Sequence, residues 1–430
     1  MDAITTSAEL VDHIAREIES GRLLPGERVE PVRAMSERLD LAPNTVASAY
    51  RALGRRGLLV GRGRAGTFVA DAGPAFTPTP VIPDGAIDVA LGNPDPLLLP
   101  DVASALSSMD IPHTLYGDVA VLPELEAAAR RWFADLPGDL GVVSGALDGV
   151  ERVLSAHLSP GDGVGVEDPG WPAVFDLLRA MRLRPVPFGV DDDGPIPEAV
   201  DDVAPRVEAI VFTSRVQNPT GACISAERAD SIARVLSGRP GLLTVEDDHA
   251  PAIAGRELHT VGPGRDRWAV VQSFSKSLSP DLRLATVVGD ADTMAAVEAR
   301  QAVGPGWVSH LLQRVAAGLL EDPGVRSGLR TATDVYADRR AALVGHLHER
   351  GIEAHGRSGL NVWIPVPDEA AAVARCLEAG YAIRAGEAFR IQSPPAVRVT
   401  TAALEPAGAL AIAEAIGTAV DSARSARRAG

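Results

Sequence analysis

The chain has almost no lysine. Of its 430 residues 41 are Lys or Arg, and Lys276 is the only lysine among them. Arginine stays protonated and cannot condense with a carbonyl, whereas a desolvated lysine loses its proton readily and can. A composition that has moved its cations to arginine keeps an amine only where a guanidinium cannot do the job, so Lys276 is singled out as a chemical group. Cysteine is scarce too: Cys223 and Cys376 lack CxxC spacing, which excludes a disulfide framework and a structural zinc site. His346 and His348 stand two apart, a spacing that splits them across a helix, and no metal site is read there. No run reaches about 18 apolar residues, and Met1-Asp2-Ala3-Ile4 opens neither a basic stretch nor an apolar core, so the chain is expected in the cytoplasm with no membrane contact. Two or three domains are expected from the length.

The net charge of -16 is unevenly spread. Residues 1–73 hold ten arginines against ten Asp plus Glu, so the remainder carries all of it. A neutral head on an acidic body implies two jobs. Beyond position 40 of the head, Arg51, Arg55, Arg56, Arg62 and Arg64 face only Asp71, a cluster suited to phosphate contact.

The pattern of the head predicts a winged helix-turn-helix. Thr6-Ser7-Ala8-Glu9 has capping-box spacing, and Leu10, Ile14 and Ile18 then recur every fourth residue, as a buried helix stripe requires. A second helix is expected over Val32–Leu39, a turn at 40–42, and a third helix from Pro43 to about Arg55. Leu58–Val60 and Thr67–Val69 alternate as strands around the glycine-rich tip 62–66. This stretch resembles the DNA-binding domain of the GntR family through Gly21-Arg22-Leu23, Pro25-Gly26, Asn44-Thr45-Val46, Tyr50, Leu53, Gly57-Leu58 and Gly66-Thr67-Phe68-Val69. The resemblance implies that Arg33, Asn44, Thr45, Ser48 and Arg51 meet the major groove and its phosphates, with Arg62 and Arg64 on the wing near the minor groove. Ala42-Pro43 stands where the family often carries Ser-Arg, which removes one contact to the operator.

Pro74, Pro78, Pro80 and Pro83 interrupt any period, so 71–86 reads as a short, semi-rigid linker after a head of 1–70. The body alternates strand-like runs (163–167, 209–213, 242–246, 268–272, 285–288) with helices, which predicts an α/β domain with a mainly parallel sheet and its ligand at the carboxyl ends of the strands. A large domain over 87–317 and a small helical and β domain over 318–425 are expected. In the small domain, 334–348 and 369–377 read as helices and 361–366 and 396–400 as strands.

Ser144-Gly145-Ala146 leaves a strand for a helix with residues small enough to admit a phosphate. Asn218-Pro219-Thr220-Gly221 places an amide after a strand, Asp247 a carboxylate at a strand end, and Lys276 follows with Arg283 seven residues on. In this order the residues resemble the fold-type I aminotransferases that bind pyridoxal 5′-phosphate (PLP), and the fusion to a GntR head resembles the MocR group of regulators. The resemblance implies that Lys276 forms a Schiff base with PLP and that Asp247 pairs with the pyridinium nitrogen. It further implies Asn218 on the phenolate oxygen, with Ser144, Gly145, Ala146, Ser273 and Arg283 around the phosphate. Trp171 would stack on the ring, Tyr116 would reach a neighbouring subunit's phosphate, and Arg398 would clamp an effector carboxylate. Two departures stand out. His249 replaces the usual Tyr and titrates near neutral pH, and the segment between Tyr116 and Ser144 is short. The implied function is a homodimeric regulator that binds double-stranded DNA and senses PLP, an amino compound, or both; a working aminotransferase with a DNA-binding head is the alternative.

Overall fold

The computed structural model describes all residues except 1–3, 5, 20–21, 25, 56–57, 62, 71–76, 108, 134 and 430. The chain divides into two compact units, residues 1–76 with 159–164 and 175–185, and residues 77–158 with 165–174 and 186–430.

In the head, the helix Ser7–Glu19 begins at the expected capping box: Glu9 N–H donates to Thr6 Oγ1 at 3.2 Å and Thr6 N–H to Glu9 Oε2 at 3.0 Å. Two backbone donors of the first turn are thereby satisfied reciprocally. Leu10 and Ile14 from this helix bury themselves with Val46 and Leu53 of the third. The second helix runs Val32–Leu39 and ends on Asp40, whose left-handed φ of 52° turns the chain toward the third helix, Pro43–Arg55. Tyr50 Oη donates to Glu30 O at 2.7 Å and ties the third helix to the segment before the second. The wing strands are Leu59–Gly61 and Thr67–Val69, paired antiparallel with Leu59 opposite Val69. The first starts one residue later than the pattern predicts, because Leu58 N–H closes the preceding helix on Leu53 O.

The body contains an eight-stranded sheet in the order Asp139–Val143, Ala285–Gly289, Trp268–Ser273, Leu243–Asp248, Ala209–Thr213, Gly163–Asp168, Arg184–Asp191, Gly194–Pro195. Leu243–Asp248 is parallel to both neighbours, while Ala285–Gly289 is antiparallel to both of its own. Every residue of the five strands that neighbour one another in the sheet from Ala285–Gly289 to Gly163–Asp168 is buried, which is why they read as continuous runs rather than alternations. The strand Arg184–Asp191 escapes the sequence reading because Pro185 and Pro187 argue against a ladder. Asp247 lies inside its strand rather than just past its end, since the ladder continues to Asp248.

The C-terminal part opens with the helix Pro323–His348, longer than expected because Asp322 caps it, its Oδ1 accepting from the N–H groups of Gly324 (2.6 Å) and Val325 (3.0 Å). Three strands follow in the order Asn361–Pro365, Ala396–Thr400, Arg384–Ala385. Val362, Ile364, Ile383, Val397 and Val399 pack into a core with residues of the helices Pro323–His348, Glu369–Glu378 and Pro406–Ala429. Alternation along each strand puts Trp363, Arg398 and Arg384, directly opposite one another in register, on the other face. Among the described residues no helix is long and apolar enough to cross a membrane.

Candidate cofactor site and DNA-facing surface

Three consecutive acids, Glu246-Asp247-Asp248, are buried on one strand, and their partners separate their roles. Glu246 accepts from Ser214 Oγ at 2.6 Å and from the N–H groups of Val261 and Gly262 at 2.8 Å. Asp248 is held by both ends of Arg215, at 2.9 and 2.8 Å, and by Gln272 at 3.2 Å. These two acids are accounted for by the fold. Among the described residues Asp247 Oδ1 is buried with no partner, and its Oδ2 has only His249 Nδ1 at 3.7 Å. Burial, with Asp248 and Glu167 nearby, holds the Asp247 carboxyl well above the usual carboxylate range. Left alone such a carboxyl stays protonated, and its ionised form requires a cationic N–H donor beside it.

Lys276 stands three residues past the strand Trp268–Ser273 and donates to Gly92 O at 2.6 Å. Burial, followed by the charges of Arg398 and Arg283, pushes its ammonium down to about 8. The amine is therefore close to the neutral form that attacks carbonyls. Gly92, at φ 75°, supplies that carbonyl and leaves room for Arg398, whose Nη2 would lie 3.3 Å from any added Cβ.

Arg398 is 4 % exposed and lies 4.8 Å above the Phe389 ring. Its Nη1 donates to Asn218 Oδ1 at 3.0 Å and its Nη2 to Ala90 O, while Nε is buried without a partner among the described residues. Asn361 Nδ2 also donates to Asn218 Oδ1, at 3.5 Å. The Asn218 amide oxygen is thus committed within the protein. The loop before it carries strain: Val216, a β-branched residue, sits at φ 61° and is clamped by its N–H on Ser358 Oγ at 3.1 Å.

At the start of the helix Ala146–His157, Gly145 has φ 97°, and an added Cβ would meet Arg283 Nη2 at 2.9 Å. Arg283 and the Ser144-Gly145-Ala146 turn are therefore brought together, as expected. Ser144 N–H donates to Asp148 Oδ2 at 2.8 Å, and the buried Ser273 accepts from Ser275 N–H at 3.2 Å. Trp171 is half-buried, and the loop before it is held by Gly170 N–H on Phe389 O and by Gln217 Nε2 on Pro169 O, both at 2.8 Å.

Two expected residues behave differently. His249 does not titrate near neutral pH: burial, then Lys276, pushes its imidazole down to about 4, so it stays neutral. Tyr116 is 96 % exposed and meets the Trp307 ring edge to face at 5.8 Å, and among the described residues it does not join Lys276. Sequence reasoning missed Gly92, Ala90, Asn361 and Phe389, because two contribute backbone carbonyls and two are placed by strand register or loop course. A cavity of about 580 Å³, lined in part by Phe188, Asp192, Thr220, His355 and Trp363, touches the Asn218 loop through Thr220 but includes neither Lys276 nor Asp247.

On the head, Arg33, Asn44 and Arg51 are exposed, and Thr45 and Ser48 are half-buried. Asn44, Ser48 and Arg51 follow helical spacing along one face of Pro43–Arg55. Arg62 and the side chain of Arg64 lie outside the described residues.

Residues 85–416 match the family described as aminotransferase class I and II, and residues 6–69 match the bacterial regulatory proteins of the gntR family. The vitamin B6 salvage pathway transcriptional repressor PtsJ of Salmonella typhimurium is 35% identical over 412 residues, covering 93% of this chain and 95% of that protein. The chain is a MocR-type regulator of the GntR family. Another relative, the pyridoxine biosynthesis regulator PdxR of Corynebacterium glutamicum, is 22% identical over 359 residues, 78% of this chain and 77% of that one. Kynurenine aminotransferase of Pyrococcus horikoshii superposes with a TM-score of 0.70 at 19% identity, covering 79% of this chain and 91% of that one, which places the body in the fold-type I architecture. The cofactor of this MocR-type body is PLP. Its residues fit: a lone carboxylate suits a pyridinium N–H, a near-neutral lysine an aldehyde, and a glycine turn under Arg283 a phosphate. When bound, PLP supplies a carbonyl carbon and an electron-withdrawing ring.

Proposed function

We propose that this MocR-type protein regulates transcription in response to PLP, with 1–70 as the DNA-binding head, 71–86 as linker, and 87–317 and 318–425 as the two halves of the sensing body. The observation that carries the reading is Asp247, a buried carboxylate with an oxygen left unpartnered by the protein, on a chain whose single lysine is pushed toward neutrality. In this reading Lys276 holds the cofactor covalently and Asp247 holds the ring nitrogen. Asn218, whose amide N–H₂ has no hydrogen-bond partner among the described residues, and the neutral His249 face the phenolate oxygen. Ser144, Gly145, Ala146, Ser273 and Arg283 hold the phosphate and Trp171 covers the ring. Arg33, Asn44, Thr45, Ser48, Arg51, Arg62 and Arg64 grip an operator. The likeness to a repressor of vitamin B6 salvage supports genes of cofactor supply as targets and the cytoplasm as the place of action.

A second signal, an amine bearing a carboxylate, is supported by the buried and unpaired Nε of Arg398. Turnover as an aminotransferase is the competing use of the same residues. The test is DNA binding upstream of the protein's own gene, at one stated salt concentration, with protein stripped of PLP and then reloaded. PLP is expected to change the affinity of the natural chain, and Lys276→Ala is expected to bind DNA with no such response. An equal PLP response from Lys276→Ala would overturn the site, and amino-group transfer to 2-oxoglutarate at enzymatic rates would favour the aminotransferase.

A further inference from the structure

Arg384 is a second cation on the effector face. The strand Arg384–Ala385 forms the edge of the small sheet, and register sets Arg384 directly opposite Arg398. Directly opposed side chains on neighbouring strands share a face with their Cβ atoms about 5 Å apart, and like charges so placed repel. The neighbours confirm which face this is, because Ile383 and Val397 point into the helix-covered core. Arg384 is half-buried, and among the described residues it makes no ion pair; its one partner is a neutral carbonyl, Pro78 O, at 2.8 Å. Arg398 makes no ion pair either, and its buried Nε is unpartnered. Asp88, the acid whose charge acts on it, spends Oδ1 on the N–H groups of Ala90 and Leu91, at 2.9 and 3.0 Å. Two adjacent guanidinium groups without a carboxylate between them are a cost to the fold that an anionic ligand removes.

We propose that the effector is an amino compound with two acidic groups, its α-carboxylate on Arg398 and its second carboxylate or phosphate on Arg384. This rests on the reading that the body senses an amine. The second group then competes with Pro78 O for one guanidinium, so effector binding frees the segment that follows the head in sequence. An anion is a stronger acceptor than a peptide carbonyl, which favours that exchange.

The experiment is calorimetric titration of the PLP-loaded, full-length protein with L-alanine, L-glutamate, L-aspartate and O-phospho-L-serine, with hydrogen exchange across residues 79–86 as the second readout. The natural chain is expected to prefer at least one two-acid amine over alanine by about tenfold or more. Glutamate against phosphoserine distinguishes a carboxylate from a phosphate as the second group. Arg384→Gln is expected to collapse that preference toward one and to raise exchange in 79–86 without ligand, while Arg384→Lys restores part of the preference. Binding of alanine and the two-acid amines with equal affinity, or a preference untouched by Arg384→Gln, overturns the proposal and leaves amine sensing standing. Absence of heat with every amine overturns amine sensing and the proposal together.

Discussion

Glu167 shows what single residues decide in this body. It is buried, its Oε2 accepts from Thr213 Oγ1 at 3.0 Å, and its Oε1 has no partner among the described residues. Burial pushes its carboxyl up to about 8, and its charge is one of the influences that hold Asp247 up. A carboxyl whose folded value lies above its unfolded value near 4.5 binds extra protons in the folded state between the two. Its contribution to stability is full below about 4.5 and is lost as pH rises through about 8. Urea unfolding of the PLP-free protein at pH 5, 7 and 9 should therefore show stability falling across the series, and Glu167→Gln should flatten that fall. A variant with the natural slope would show that Glu167 is not the group responsible. At this scale Lys276 was legible from composition alone, since its solitude among arginines is a property of the chain. Arg384 was not, because a lone Arg in a sequence says nothing until register sets it against Arg398.

At the scale of elements, local physics governed what could be read. The three head helices follow the predicted spans because capping by Thr6 and Glu9, the fourfold recurrence of Leu10 and Ile14, and Pro43 at a helix start all act within one or two turns. The strand Arg184–Asp191 was missed because its prolines obey a sheet context the sequence does not display. Arg51 belongs to this scale, as an exposed residue on the last turns of Pro43–Arg55. If it meets a phosphate, Arg51→Ala should weaken operator and non-operator DNA alike and lower the slope of log affinity against log salt by about 1. Fluorescence anisotropy over a salt series measures this, and a loss confined to the operator would make Arg51 a base-reading residue instead.

For the whole molecule, the exposed segment Leu115, Tyr116 and Val119 is the feature to explain, with exposures of 70%, 96% and 58%. Large side chains this open are expected to be covered by a second copy of the chain. Sedimentation should therefore show a dimer, and Tyr116→Ala should loosen PLP in equilibrium dialysis, because the tyrosine would serve the neighbouring subunit's phosphate. A monomer that retains PLP tightly would reject that assignment. What the sequence by itself determined is the set of local and compositional facts: a winged head, alternating strands and helices in the body, a single lysine, and the order of Asn218, Asp247, Lys276, Arg283 and Arg398. Only the tertiary structure decided that Asp247 is the acid left unpaired among three, that His249 is half-buried and neutral, that Gly92 receives Lys276, and that Arg384 stands beside Arg398. The physical reason is that capping, periodicity and residue chemistry are written in neighbouring positions, whereas desolvation, unsatisfied hydrogen bonds and cross-strand partners arise only when distant segments are packed together.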